Sequence, residues 1–149
     1  MQKLHTSIII NAPREKVWDT MLGADTYPQW TTAFHAGSYY KGVLAEGEKI
    51  LFIGPDEDGG EMGMVSRVAA LRPQEFISFE HLGIYKNGVE DTESDEAKKW
   101  SPAFENYTFT DVDGGTEVTI DQDIQSDYKT EFEGMWERAL VLLKELAEK

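Results

Sequence analysis

Leu4, Thr6, Ile8 and Ile10 alternate with His5, Ser7 and Ile9 at the head of the chain. A period of two over β-branched residues predicts a strand with one buried face, ending at Asn11, Ala12 and Pro13. Proline suits a first helical turn, where its missing N–H costs nothing, and Val17, Trp18, Met21 and Leu22 then share one face until Gly23 offers a stop. A second short helix is expected through Tyr27 and Trp30, with Pro28 confined to its first turn. From Gly37 to Ile124 the signals are strands and turns. Segments near Ser38 to Lys41, Lys49 to Ile53, Glu61 to Ala70, Glu75 to Leu82, Phe104 to Asp111 and Thr116 to Ile124 are divided by turn residues. Asp58-Gly59-Gly60 and Asp113-Gly114-Gly115 supply the positive φ that tight hairpins require. With the opening strand these make seven, joined by connections too short for crossover helices, so the sheet should be antiparallel.

The stretch from Gly83 to Lys99 has no clean period and crowds Asp91, Glu93, Asp95 and Glu96 together. It reads as a long mobile loop whose far end, Trp100, folds back as a lid. The last segment is the clearest helix: Tyr128, Phe132, Met135, Trp136, Ala139, Leu143 and Leu146 recur at helical spacing, with glutamates elsewhere. Such a stripe can be hidden beside one sheet only by lying across it. Gly134 in mid-helix costs about 1 kcal/mol relative to alanine, which points to close packing or a bend there.

Composition bounds the function. The chain of 149 residues is read as a single domain, 1–149, long enough to bury roughly 70% of its unfolded surface without metal or disulfide. There is no cysteine, so thiol chemistry is excluded and a reducing, cytoplasmic location is expected. Against 14 basic side chains stand 28 acidic ones, a formal net charge of −14. That field repels nucleic acid and anionic lipid, and no apolar run is long enough for membrane insertion.

The aromatics change the picture. Trp30, Tyr39, Phe52, Phe79, Trp100, Tyr107, Phe109, Phe132 and Trp136 are large groups distributed over sheet and helix. A strongly curved sheet cannot press on a helix along its whole width, so a gap lined by these rings is expected.

The order strand, short helices, meander and long C-terminal helix is carried by IIINAPREKVWDTM at Ile8 to Met21, FISFEHLG at Phe76 to Gly83, FENYTFTDVDGGTEVTID at Phe104 to Asp121 and FEGMWERALVLLKEL at Phe132 to Leu146. In these segments the chain resembles the START or polyketide cyclase superfamily (SRPBCC, helix-grip), and within it the branch named after the activator of the heat-shock protein 90 ATPase. The resemblance spans essentially the whole chain. It implies an α+β helix-grip fold: a curved seven-stranded antiparallel sheet wrapped around the C-terminal helix, with two short helices after strand 1. Members of the superfamily hold lipids, steroids, polyketides or hormones, or have no known ligand, so the fold does not choose among them. The namesake activator carries a further N-terminal region that takes part in chaperone binding. This sequence shows no counterpart, and chaperone stimulation is not expected.

Catalysis in such a cavity needs converging polar groups. His81 shares parity with Ile77 and Phe79 and could shuttle a proton near neutral pH; Glu80 then points to solvent. Two orientations of the next strand are open. If Glu105, Tyr107 and Phe109 are inward, a carboxylate stands among aromatic rings as an acid or base; if Phe104, Asn106 and Thr108 are inward, Glu105 is solvated. Tyr39 and Tyr107 could anchor a ligand oxygen. The three histidines, His5, His35 and His81, have no ligand spacing, so neither a metal nor another cofactor is expected. The first reading is therefore non-catalytic binding of a small apolar molecule. The alternatives are a cyclase- or hydrolase-type enzyme using His81 with Tyr107 or Glu105, and a chaperone-activator-like interaction module, as monomer or homodimer.

Overall fold

The computed structural model describes residues 1–149. Strand β1 (Gln2–Ile10) leads into helix α1 (Arg14–Leu22) and the single-turn α2 (Tyr27–Trp30). The meander follows as β2 (Tyr39–Lys41), β3 (Lys49–Pro55), β4 (Glu61–Arg72), β5 (Phe76–Lys86) and β6 (Val89–Asp91). After the single-turn α3 (Asp95–Lys98) come β7 (Ala103–Val112), β8 (Gly115–Ile124) and the long α4 (Lys129–Ala147). The strands form one antiparallel sheet in the order β1-β8-β7-β5-β4-β3-β2, with β6 pairing to the far end of β5. This is the α+β helix-grip architecture, with two short helices after the first strand and one strand more than the pattern predicted.

The eighth strand lies in the segment read as a loop. Asn87 and Gly88 both have positive φ, 47° and 85°, which is the tight hairpin turn that an Asn-Gly pair favours, and it returns the chain onto β5 as β6. The Asp91 carboxylate then accepts from the amides of Glu93 and Ser94 and from the Ser94 hydroxyl, while Ser94 caps α3 through the Ala97 amide at 3.1 Å. These bonds, led by that from Ser94, hold the Asp91 carboxyl below its ordinary value. Local polar partners therefore order a segment that lacks hydrophobic periodicity. Gly83 makes the hairpin possible, because a Cβ there would lie 2.1 Å from the Asp91 carbonyl oxygen.

Two irregularities bend the sheet around the helix. Ser66 pairs with His81 and Val65 with Gly83, leaving Leu82 without a partner; one step on, Val68 pairs with Phe79 and Ala70 with Ser78, leaving Ala69 out. Each inserted residue swaps the faces of its strand. Ile77, Phe79 and His81 thus face α4, whereas Tyr85 joins Ile53 and Val65 in a separate cluster on the convex side. β8 shows the alternation without interruption, with Thr116, Val118, Ile120, Gln122 and Ile124 buried in turn.

Helix α4 buries Trp136, Ala139, Leu140, Leu143 and Ala147 against this concave face. Trp136 is the hub. Its ring lies 5.9 Å from Trp30, 4.9 Å from Phe34 and 5.8 Å from Tyr107, and its Nε1–H donates to Gln122 Oε1 at 2.7 Å. α1 and α2 close the remaining side, where the Trp30 Nε1–H donates to the Met21 carbonyl at 3.0 Å and Tyr27 packs edge-on against Trp30 and Tyr40. Gly134 marks neither close packing nor an intimate contact: the one atom near an added Cβ is the Arg138 guanidinium, at 3.7 Å.

Two consequences can be measured. Gly134→Ala removes a helix-breaking residue from an uncrowded position and should stabilise the fold by about 1 kcal/mol, or roughly 2–4 °C in thermal midpoint by calorimetry; an unchanged or lower midpoint would show that the glycine is required. Tyr27 and Tyr107 lie in the ring cluster, and burial first, then the charge of Glu105, push both phenols well above their ordinary value. A phenol raised on folding contributes stability that is intact below its unfolded value of about 10 and is lost as pH climbs toward the folded value. Tyrosinate absorbance from these two should therefore appear only together with loss of the circular dichroism signal; ionisation of all six tyrosines in the folded protein would refute their enclosure.

Candidate functional site

The curvature that lets the sheet grip α4 also keeps it from closing on the helix at one end. There a cavity of about 260 Å³ remains, with mostly apolar walls. Tyr27, Trp30 and Phe34 form the side built by α2 and the turn after it; Phe132 and Trp136 of α4 stand opposite. Phe52 and Met64 from the β3–β4 hairpin, with Ala103, Tyr107 and Ile124 from β7 and β8, make the sheet wall. Trp100 and Met1 sit on the lining as well. The segment bearing Trp100 is tied to the start of α4 by the Gln125 Nε2–H, which donates to the Lys99 carbonyl at 2.9 Å, and by the Trp100 and Tyr128 rings, 5.5 Å apart.

One polar chain crosses the sheet wall. The Ser66 hydroxyl lies 2.6 Å from His81 Nδ1, and His81 Nε2 lies 3.2 Å from Glu105 Oε1. The Tyr107 hydroxyl donates to Glu105 Oε2. With the carboxylate as acceptor the neutral imidazole carries its proton on Nε2, so Nδ1 accepts from Ser66. Ser66 is fully buried and absent from the lining, so it orients the ring and offers no nucleophile to the cavity. His81, Glu105 and Tyr107 do reach the lining.

Two further polar groups face the space without a protein partner. Trp136 Nε1 can only donate, which fixes Gln122 with Oε1 toward it and leaves the Gln122 Nε2 donor unused. The Tyr27 hydroxyl makes no hydrogen bond within the protein either, although Tyr27 lines the cavity. At the rim, partial burial of Asp123 would raise its carboxyl, but hydrogen bonds from Lys3 and from the Phe104 amide, at 2.9 Å, hold it below its ordinary value. No three His, Cys, Asp or Glu side chains gather closely enough to hold a metal ion. No helix is long and apolar enough to cross a membrane.

Of the residues singled out from the pattern, Trp30, Phe52, His81, Trp100, Tyr107, Phe132 and Trp136 meet at this cavity, with Glu105 beside them. The β7 orientation is settled by Ala103, Tyr107 and Phe109 being buried while Phe104 is exposed. Three others stand elsewhere. Phe79 is enclosed behind the wall between Phe52 and Tyr107, at 5.0 and 5.7 Å. Phe109 has the inward parity but lies further along β7, where α1 covers it and Trp18 packs at 5.0 Å. Tyr39 faces the convex cluster and donates to Glu61, because its neighbour Tyr40 takes the inward position opposite Phe52. Tyr27, Phe34, Met64 and Gln122 were missed. Gln122 was legible as a polar member of the buried row on β8, which it shares with Thr116 at the other end of the strand; Tyr27 and Phe34 lie where no period assigns a face.

A family model described as Activator of Hsp90 ATPase homolog 1-like protein matches residues 11–148. No curated protein sequence matches the chain. Among solved structures, one from Cytophaga hutchinsonii superposes with a TM-score of 0.73 at 19% identity, covering 99% of this chain and 94% of that one. The Aha1 dimer from Colwellia psychrerythraea gives 0.71 at 18% identity over 99% and 97%. CalU16 from Micromonospora echinospora gives 0.67 at 14% identity over 97% and 75%. At such identities the likeness shows the shared fold. Since the family model leaves out only the first ten residues and the last, the chain belongs to the family of Activator of Hsp90 ATPase homolog 1-like proteins.

Proposed function

We propose that the protein binds a small, largely apolar molecule in the cavity between the sheet and α4, without transforming it. The observation that carries this reading is an apolar cavity of about 260 Å³ whose walls hold two unused hydrogen-bond groups, the Tyr27 hydroxyl and the Gln122 amide. Apolar walls supply affinity and a few fixed polar groups supply orientation. An apolar cavity of about 150 Å³ accepts benzene, so this one suits two or three fused rings and is too small for a whole diacyl lipid.

One observation favours an enzymatic second reading: His81, Glu105 and Tyr107 share a hydrogen-bonded chain at the wall. Glu105 or His81 could then take a proton from a bound substrate. Binding ranks first because each Glu105 oxygen and each His81 nitrogen already has a partner in the folded chain. Exchange of an acidic C–H proton of a bound ligand for deuterium, lost in Glu105→Gln, would promote the enzymatic reading.

The test begins with native mass spectrometry of freshly purified protein, followed by organic extraction. It also reports whether this chain, like the Colwellia relative described as a dimer, pairs with itself. Naphthol added to the stripped protein should quench the fluorescence of Trp30, Trp100 and Trp136, which line the cavity, in a saturable way. Ala103→Leu, which adds an isopropyl group at the lining, should weaken binding at least about tenfold, a cost of ~1.4 kcal/mol. Tyr27→Phe should weaken it about three- to tenfold, as expected for one hydrogen bond of roughly 0.5–1.5 kcal/mol. Absence of any copurifying molecule together with non-saturable quenching insensitive to Ala103→Leu would overturn the proposal.

A further inference from the structure

Glu105 does more than join a hydrogen-bonded chain. A carboxylate offers about four lone-pair sites; His81 takes one on Oε1 and Tyr107 one on Oε2. The remaining sites belong to a carboxylate that lines the cavity and whose side chain is only 15% exposed. Tyr107 donates to Oε2, and with the His81 proton on Nε2 the other oxygen accepts as well, so each oxygen keeps a lone pair for a ligand donor.

Among the residues lining the cavity, Met1 at the rim brings the terminal amine. No lysine or arginine is on its lining. At the rim Lys3 bonds Asp123, and the Met1 amine adds its field to the same carboxylate. The other walls present six aromatic faces, Tyr27, Trp30, Phe34, Phe52, Phe132 and Trp136, among the aliphatic Met64, Ala103 and Ile124. Such faces attract cations and tolerate neutral rings. They give a ligand carboxylate no donor that would compensate for its lost hydration. The donors that do exist, the Gln122 amide and the Tyr27 hydroxyl, are neutral groups suited to a carbonyl or hydroxyl oxygen.

We infer that the cavity selects by charge: it takes a neutral or cationic ring compound that presents an O–H or N–H donor to Glu105, and it rejects carboxylic acids. This inference rests on the ligand-binding reading and adds the chemical class of the ligand. The Glu105 carboxylate is the determinant of that selection, and His81 and Tyr107 are positioning residues that hold it.

The experiment compares naphthol, naphthylmethylamine and naphthoate by tryptophan quenching near neutral pH. The amine and the acid differ in sign while both carry the hydration of one full charge. Measurements in about 1 M salt, where the Debye length is about 3 Å, remove the pull of the acidic surface as a whole. Naphthol and the amine should bind, with naphthoate at least about tenfold weaker than the amine. In Glu105→Gln, shown to be folded by circular dichroism, the gap between the two ions should close. Equal affinity for the two ions while naphthol binds, or naphthoate binding more tightly, overturns the inference and leaves ligand binding intact. A gap that persists unchanged in folded Glu105→Gln also overturns it, since the selection would then come from elsewhere. If none of the three binds, the binding reading fails and the inference with it. Should Glu105→Gln not fold, the ion comparison in the unsubstituted protein decides alone.

Discussion

The contact between Trp136 and the sheet is the constraint on which the rest of the structure depends. One indole joins α4 to β8 through a buried hydrogen bond to Gln122, to β7 through Tyr107, and to the α2 region through Trp30 and Phe34. The bond to Gln122 satisfies a donor that would otherwise be buried alone, a defect worth about 1–3 kcal/mol. It also sets how far the helix end stands off the sheet. An indole is too large for the sheet to close around, so the space beside it stays open as the cavity. The same residue thus anchors the core and forms part of the cavity wall.

The sheet reaches that helix by being irregular. Without the unpaired Leu82, β5 would keep one alternation, and Tyr85 would fall on the same side as Phe79 and His81. The bulge sends Tyr85 to the convex cluster and leaves His81 on the inward face, opposite Ser66 and beside Glu105. Bulges re-aim side chains in this way near functional sites. The polar chain across the wall is therefore a product of local backbone geometry. Glu105 would be an isolated carboxylate if Tyr107 and His81 did not arrive from its own strand and the next.

The architecture concentrates polarity at one wall and aromatic surface at the others. An entirely apolar cavity would hold ligands without orienting them, and an entirely polar one would fill with water. In the proposed binding reading, apolar area would provide affinity, while Tyr27, Gln122 and Glu105 would provide direction. Solved structures of the same fold at below 20% identity share the grip of sheet on helix, and a shared fold does not by itself fix a function.

Much of this was written in local patterns. The alternation of β1, the spacing of Phe132, Trp136, Ala139 and Leu143, and the glycine-rich turns specify strands, a helix and their order, because each depends on a period or a backbone preference that operates over a few residues. The Asn87-Gly88 pair belonged to that class too, although the acidic neighbourhood obscured it. What the tertiary structure decided is depth and partnership. Phe79, Phe109 and Phe52 all have inward parity, yet only Phe52 reaches the cavity, because parity names a face and says nothing of what covers it along the strand. Glu105 could have pointed either way until β7 took its register between β5 and β8. Tyr27 and Phe34 join the site from a short helix and a turn, where position is set by packing against α4 and the sheet. Sequence alone determined the elements and their apolar faces; the gap between those faces, and the groups that meet in it, exist only once long-range packing brings them together.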